Sequence, residues 1–369
     1  MTETGTLIPL NDLSRGWIAT SPDVRAAVER VISSGWYLLG PETEAFEREL
    51  AGLVGARHGI GLASGTDALR IALLATGCEP GSEVVTAANA GGYAAVAAAS
   101  IGCDLVYADV DPRSLVVTAE TVARAIRPGT RAVVVTHLYG NVADTAAIAA
   151  ICRPAGIAVV EDCAQSLGAV SMGRPVGGVG DIATFSFYPT KNLGAAGDGG
   201  AVITDHDDVA AAARQLRQYG WGEKYRIDRE RGWNSRLDEI QAMILRLGLS
   251  RIDELTERRR AIVRRYREAL TNSEVRPVSG ETEDFVAHLA VVRSGQRSAL
   301  AARLRSAGIA TAIHYPVPDH RQVGLPPPAR PTDLRATELA SEQVLSLPCF
   351  PEMTLGEIDR VTHALATAG

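Results

Sequence analysis

Of the 37 lysine and arginine side chains in this sequence, only Lys191 and Lys224 are lysines. The imbalance matters because a guanidinium stays protonated at any working pH. A lysine amine can lose its proton, attack a carbonyl and form a Schiff base. Lys191 lies in Phe185-Ser186-Phe187-Tyr188-Pro189-Thr190-Lys191-Asn192-Leu193-Gly194, an apolar run entering a glycine-rich turn. That setting suits a reactive amine, and a surface lysine kept by chance is the plainer alternative.

Two other segments carry chemistry of a matching kind. Ser64-Gly65-Thr66-Asp67-Ala68-Leu69 is a small-residue turn opening a helix, where free backbone N–H groups can bind phosphate or Ser64 can serve as a plain N-cap. Val159-Val160-Glu161-Asp162-Cys163-Ala164-Gln165 reads as a buried strand ending in carboxylates, at the sheet end where open α/β folds place ligands. Asp162 there can hold a metal, a ribose hydroxyl or a protonated ring nitrogen, or can simply cap a helix. Ser186 precedes Lys191 by five residues and could offer a hydroxyl to the same phosphate. A phosphate-binding turn, a strand-end aspartate and a lysine in an apolar loop jointly match one cofactor, pyridoxal 5′-phosphate, whose ring acts as an electron sink.

Other chemistries find no support. Gly177-Gly178-Val179-Gly180 does not join a strand to a helix as a dinucleotide fingerprint requires, and neither lysine follows a glycine as in a P-loop. His137, His314 and His320 are too scattered for a metal spacing, and five widely separated cysteines lack any CxxC pair, so no metal and no disulfide framework is expected. The net charge of −6 argues against a nucleic-acid partner. No apolar run approaches the roughly 20 residues that span a bilayer, and the first residues do not read as a signal peptide. The expectation is a cytoplasmic protein without a membrane or nucleic-acid partner.

The elements that must position these residues alternate in type. Helical patterns at residues 66–76, 93–101, 118–126 and 145–152 interleave with strand patterns at 83–86, 104–108, 131–136, 157–160 and 182–187. Such alternation predicts an α/β domain with a mostly parallel sheet covered on both faces. A long helix is expected over 235–270, bridging to a smaller α+β unit. That unit holds a strand near 286–292 and helices at 297–306, 334–345 and 354–366. The expected division is 1–245 for an N-terminal arm with the large domain, and 246–369 for the small C-terminal domain.

In these segments the sequence resembles the DegT–StrS sugar-nucleotide aminotransferases, within the fold-type I (aspartate aminotransferase-like) pyridoxal enzymes. The resemblance runs from Ile8-Pro9-Leu10 to Leu345-Ser346-Leu347-Pro348. It also includes His137-Leu138-Tyr139-Gly140, Gly232-Trp233-Asn234-Ser235-Arg236-Leu237-Asp238-Glu239 and His314-Tyr315-Pro316-Val317-Pro318-Asp319-His320. It implies Lys191 as Schiff-base lysine and proton shuttle, Asp162 as partner of the pyridine nitrogen, and Gln165 beside the phenolic oxygen. Gly65, Thr66 and Ser186 would hold the phosphate, with Asn234 reaching it from the second subunit of a homodimer with shared active sites. Tyr315 and His320 would face substrate. Lysine rather than the histidine of related sugar dehydratases implies transamination, with L-glutamate as donor and a nucleotide-linked keto-sugar as acceptor.

The segment up to Lys191 resembles the branch acting on dTDP-3-keto-6-deoxyhexoses more than the 4-keto branch, while a keto-cyclitol acceptor, which would change only the substrate loops, stays an alternative. An arginine-heavy composition fits a GC-rich genome and antibiotic-sugar biosynthesis. One departure stands out: the family's Thr-aromatic pair over the cofactor ring is replaced by Ala90-Gly91, and Tyr93 is the candidate substitute. Between Arg214 and Arg236, seven basic residues face three acidic ones, an excess suited to a nucleotide diphosphate or to a solvated loop. Lys224 falls in that stretch as a further substrate-side candidate.

Overall fold

The computed structural model describes residues 7–270, 274–278 and 284–367. Seven strands form the main sheet: β1 (His58–Leu62), β2 (Glu83–Ala87), β3 (Asp104–Ala108), β4 (Thr130–Thr136), β5 (Ala158–Asp162), β6 (Ile182–Ser186) and β7 (Gly200–Thr204). Their spatial order is β1-β7-β6-β5-β4-β2-β3, and only β7 runs against its neighbours. Strands such as Ala132–Val135 are apolar at every position because helices cover both faces of the sheet.

Alternation along the strands decides which side chains meet which layer. Val134, Val160 and Ile182 join the core that also contains Ala68, Leu69, Ile71 and Ala72 of the Gly65–Ala75 helix. Val133, Val135 and Val159 pack into the opposite core with Val122 and Ile148. Register pairs Thr136 with Asp162 and Asp162 with Thr184. The parity that buries Val134, Val160 and Ile182 therefore presents Thr136, Asp162 and Ser186 on the face of the Gly65–Ala75 helix. Glu161 points the other way.

The bridging helix expected over 235–270 is broken in two, Glu239–Leu249 and Ile252–Ala269. Arg251 leaves helical geometry with φ −115° and ψ 0°, and its N–H returns to the Gly248 carbonyl at 2.9 Å. Each half faces a different core, which explains the break. Ala242 and Leu245 pack with Phe46 and Leu50, whereas Ile262, Val263 and Tyr266 pack with Leu300, Leu304 and Phe350. One straight rod cannot bury both faces.

The second core surrounds an antiparallel sheet of β8 (Val275–Pro277), β9 (Ala290–Ser294) and β10 (Val344–Leu347). Leu345, expected to end a helix, instead pairs with Val292 in the sheet; the helix stops at Gln343. Ile8 of the N-terminal arm is buried in this second core and bridges to Ile309.

Glu239 ties the two ends of the main unit together. Its buried carboxylate accepts the Gly40, Glu42 and Thr43 N–H groups, each at 2.9 Å, together with the Thr43 hydroxyl. These amides open the Pro41–Val54 helix, where an anion is also favoured by the helix dipole. Replacing Glu239 with Ala should cost about 2–4 kcal/mol in urea denaturation, since buried donors lose a charged acceptor. A loss below about 1 kcal/mol would show that solvent satisfies these amides instead.

Candidate active site

A cavity of about 620 Å³ opens where β4, β5 and β6 end. At one side lie Ser64, Gly65 and Thr66; Asp162, Gln165 and Lys191 form part of its floor. Tyr93, His288, His314 and Tyr315 form part of its wall. A smaller hollow of about 270 Å³ opens elsewhere against Lys191, beside Asn192, Trp17 and Arg259.

The phosphate-sized end is built by close backbone approach. Ser64 caps the Gly65–Ala75 helix by accepting the Asp67 N–H at 3.1 Å, leaving the first amides of the helix at the cavity margin. A Cβ on Gly65 would lie 2.5 Å from the Ser186 Cβ, and one on Gly200 would lie 2.2 Å from the Ser64 carbonyl oxygen. The Lys191 loop uses the same device, because a Cβ on Gly194 would lie 2.4 Å from the Pro189 oxygen. The run from Gly194 to Gly200 reads in the sequence as glycine-rich for a tight turn. The function of these glycines is proximity: none of Gly65, Gly194 and Gly200 has a positive φ.

Burial works against charge on both groups of the floor. Asp162 is 5% exposed, and burial raises its carboxyl above the ordinary range; the Ala164 N–H, the Lys191 charge and the Thr136 hydroxyl oppose that rise. The two hydrogen bonds measure 3.1 Å from Ala164 and 3.2 Å from Thr136. Burial lowers the Lys191 amine to about 8, against the attraction of Asp162. Near neutrality roughly one Lys191 in ten then carries a free amine, about two orders of magnitude more than an ordinary lysine.

Glu161 serves the fold. It accepts N–H groups of Gly177, Val179 and Gly180 at 3.2, 2.9 and 2.6 Å, and faces His137 Nε2 at 3.2 Å. Burial opposes its charge, yet His137 and these amides hold it down to about 2. The glycine run rejected as a dinucleotide fingerprint is thus a loop pinned by this carboxylate.

Of the residues singled out from sequence, Gly65, Thr66, Tyr93, Asp162, Gln165, Ser186, Lys191 and Tyr315 meet at the cavity. Gln165 Oε1 accepts the Tyr139 N–H at 2.7 Å, and its Nε2 donates to the Tyr315 hydroxyl at 3.3 Å. Asn234 is exposed outside the lining, although Ser235 beside it is buried and donates to Asp67 Oδ2 at 2.7 Å. Lys224 is exposed at the tip of a short hairpin, 5.1 Å from the Tyr225 ring centroid. His320 is not in the cavity. It turns behind the wall, with Nε2 3.2 Å from Glu338 and its ring 6.2 Å from that of Tyr107.

Two lining histidines escaped the sequence reading. His314 Nδ1 lies 2.8 Å from the Ser346 hydroxyl, and His288 Nδ1 lies 3.2 Å from Asn192 Oδ1. Burial, then the Lys191 charge, disfavours protonation of both. His314 had a signal in its motif, whereas His288 sits in Phe285-Val286-Ala287-His288-Leu289, which reads as plain strand.

A buried carboxylate, a depressed amine and a helix N-terminus packed on a serine fit pyridoxal 5′-phosphate: each of its charged ends finds an opposite or hydrogen-bonding group. The absence of space for a Cβ at Gly65 or Gly200 keeps the phosphate end open to backbone amides.

The floor makes a sign-specific prediction. Lys191 becomes nucleophilic as pH rises through about 8, so reductive methylation of the cofactor-free protein, followed at Lys191 by mass spectrometry, should accelerate through that value. Asp162→Asn removes the charge that favours the ammonium form and should shift the midpoint downward. A midpoint that stays or rises would exclude this coupling.

Comparison with known proteins places the chain firmly. The model of the DegT/DnrJ/EryC1/StrS aminotransferase family matches residues 20–366. A Geobacillus stearothermophilus pleiotropic regulatory protein is 39% identical over 97% of this chain and 98% of its own length. A dTDP-3-amino-3,4,6-trideoxy-α-D-glucose transaminase of Micromonospora megalomicea subsp. nigra is also 39% identical, over 93% of this chain and 94% of its own. The solved structure of S. venezuelae DesV in complex with a ketimine intermediate superposes with a TM-score of 0.93 at 38% identity, covering 98% of each chain.

Proposed function

Given that the chain belongs to the DegT/DnrJ/EryC1/StrS aminotransferase family, we propose that it transfers an amino group from L-glutamate to a dTDP-3-keto-6-deoxyhexose. The cofactor is pyridoxal 5′-phosphate. The observation that carries the reading is one cavity joining Lys191 and Asp162 to the N-terminus of the Gly65–Ala75 helix. The printed name of the Micromonospora relative supports amination at C3 of a dTDP-sugar.

The cofactor supplies an electron sink that makes a C–H bond next to its attached nitrogen acidic. The chain supplies position and protons. Gly65 and Thr66 amides and the Ser186 hydroxyl would bind the phosphate, and Asp162 would hold a proton on the ring nitrogen. Gln165 orients the ring from the side that also carries Tyr139 and Tyr315. Lys191 anchors the cofactor through its amine. Free of that anchoring role, the same amine would accept and return a proton at the substrate carbon, a task for which a pKa near 8 is well placed.

The same reading makes the enzyme a cytoplasmic homodimer. For the dimer, the support is a set of large apolar side chains, Trp36, Tyr37, Tyr188, Tyr225 and Ile227, each more than half exposed in the single chain. Asn234 and Lys224 lie outside the cavity of their own chain, so a second chain would bring them to a neighbouring site. Asn234 would then complete the phosphate cradle, and Lys224 with its arginine-rich surroundings would meet the nucleotide diphosphate.

Purified holoenzyme should absorb visible light and lose that band with L-glutamate; Lys191→Ala should lack the lysine-dependent band and turnover. An unchanged spectrum in the variant would sink the assignment. Supplying dTDP-3-keto-6-deoxyhexoses to glutamate-treated enzyme should restore the band, and restoration only by 4-keto sugars or keto-cyclitols would overturn the substrate reading.

Sharing of sites is testable separately. Confirmed heterodimers of Lys191→Ala and Asn234→Ala subunits should recover activity that neither homodimer has. Absence of recovery would count against an active site formed across the dimer.

A further inference from the structure

Asn234 sits just past a stretch that is exposed at every residue from Gly222 to Arg231, and Ser235 is the first buried residue after that stretch. The backbone around Asn234 is pinned. Trp233 N–H donates to the Leu216 carbonyl at 2.7 Å, Ser235 N–H donates to the Arg217 carbonyl at 3.0 Å, and Asn234 bridges to Gln218. Adjacent side chains on extended backbone point to opposite faces, so the inward Ser235, fully buried, leaves Asn234 on the outer surface.

The Ser235 hydroxyl is engaged on both counts. It donates to Asp67 Oδ2 at 2.7 Å and accepts the Ala63 N–H at 3.1 Å. Both contacts lie in the turn that opens the Gly65–Ala75 helix, whose Ser64, Gly65 and Thr66 line the cavity. Asp67 is held from the other side as well, because its N–H donates to the Ser64 hydroxyl at 3.1 Å. A second tie runs beside the first: Arg217, whose carbonyl receives the Ser235 N–H, donates through Nη1 to the Gly61 carbonyl at 3.1 Å. One buried hydroxyl thus joins the phosphate end of the cavity to the segment that carries Asn234.

We propose that Ser235 and Asp67 are a positioning pair: the Ser235 hydroxyl, held by the Asp67 carboxylate, sets Asn234 in the orientation in which it serves the cofactor phosphate of the other subunit's site. This rests on the shared-site reading above. The two sides of the bond are unequally supported. The turn at residues 63–66 is also held by the Leu62–Gly200 pairing and by the Ala68 N–H bond to the Ser64 carbonyl at 3.0 Å. Its packing against Ser186 is too close for a Cβ at Gly65. Asn234 has the exposed stretch before it and Ser235 as its first buried anchor. Losing the hydroxyl therefore acts on Asn234, and so across the dimer. An amide serves only when aimed, because a hydrogen bond weakens steeply away from linearity.

Heterodimers tell the two sides apart. Each carries Lys191→Ala in one subunit, so a single site keeps the lysine-dependent absorption band, and titrating that band with pyridoxal 5′-phosphate gives the affinity of that site. Ser235→Ala placed in the lysine-free subunit, which lends Asn234 to the live site, should raise the dissociation constant at least fivefold. The same substitution placed in the subunit that keeps Lys191 should change it less than twofold. Asp67→Ala in the lysine-free subunit should reproduce the fivefold loss, and Asp67→Asn, which keeps an acceptor oxygen, should recover most of it. Combining Asp67→Ala with Ser235→Ala there should weaken binding no further than the worse single substitution.

An effect confined to the subunit that keeps Lys191, equal effects from both placements, or no effect from either would overturn the proposal. Asn234→Ala in the lysine-free subunit separates that result from a failure of the shared site. It should weaken binding at least as much as Ser235→Ala, and unchanged affinity there would fail the shared-site reading itself.

Discussion

The attraction between Asp162 and Lys191, made across a floor where burial disfavours charge on both, is the interaction on which the rest of the site depends. Burial alone pushes the Asp162 carboxyl up and the Lys191 amine down, disfavouring the charged form of each. Their mutual attraction restores part of the charge on each, leaving the amine near 8, with neutral and protonated forms close in energy. Arginine in place of Lys191 would carry a permanent, poorly solvated charge and no nucleophile. The surrounding histidines fit the same field, since neutral His288 and His314 can line the floor without competing for its single cation.

Strand parity and close packing bring the cofactor-binding groups to that field. One parity through β4, β5 and β6 supplies Thr136, Asp162 and Ser186 to the helix that begins at Gly65. The opposite parity sends Glu161 to pin the 177–180 loop, so adjacent carboxylates serve chemistry and fold without interfering. Where the helix start meets β6 and β7, contacts of 2.5 and 2.2 Å to virtual Cβ atoms leave glycine as the residue that fits without displacement. A one-residue slip of β5 would turn Glu161 toward the cavity and Asp162 toward the 177–180 loop, misplacing both carboxylates.

That Gly65, Thr66, Asp162, Ser186 and Lys191 meet in one cavity was legible in the sequence because their settings are local: a turn, a strand end and a loop, each with characteristic residue types. The parallel strands were equally plain, being short apolar runs between helical patterns. Features set by distant packing were not. Nothing in the repeated arginines and leucines of residues 235–270 marks Ser250-Arg251 as a break; the need to face two cores imposes it. Leu345 follows a helical pattern, yet strand pairing with β9 overrides its propensity. His320 was read as a neighbour of Tyr315 facing substrate, but the turn at Asp319 carries it behind the wall to Glu338.

These differences also explain why the sequence speaks more clearly about the cofactor than about the sugar. The groups proposed to hold the cofactor come largely from one sheet and the helix and loop attached to it, so their spacing along the chain reflects their spacing in space. The wall opposite combines Tyr93 from one helix start, Gly91 from the preceding turn, and Tyr315 from a loop more than 200 residues later. Its shape depends on how that loop is fastened, and the fastening is a backbone hydrogen bond from Asp319 to Ala88 beside a buried carboxylate. Gly91 leaves room for the Tyr315 ring, which a Cβ at that position would meet at 2.8 Å, so the shape of this wall is set by contacts between segments far apart in the chain.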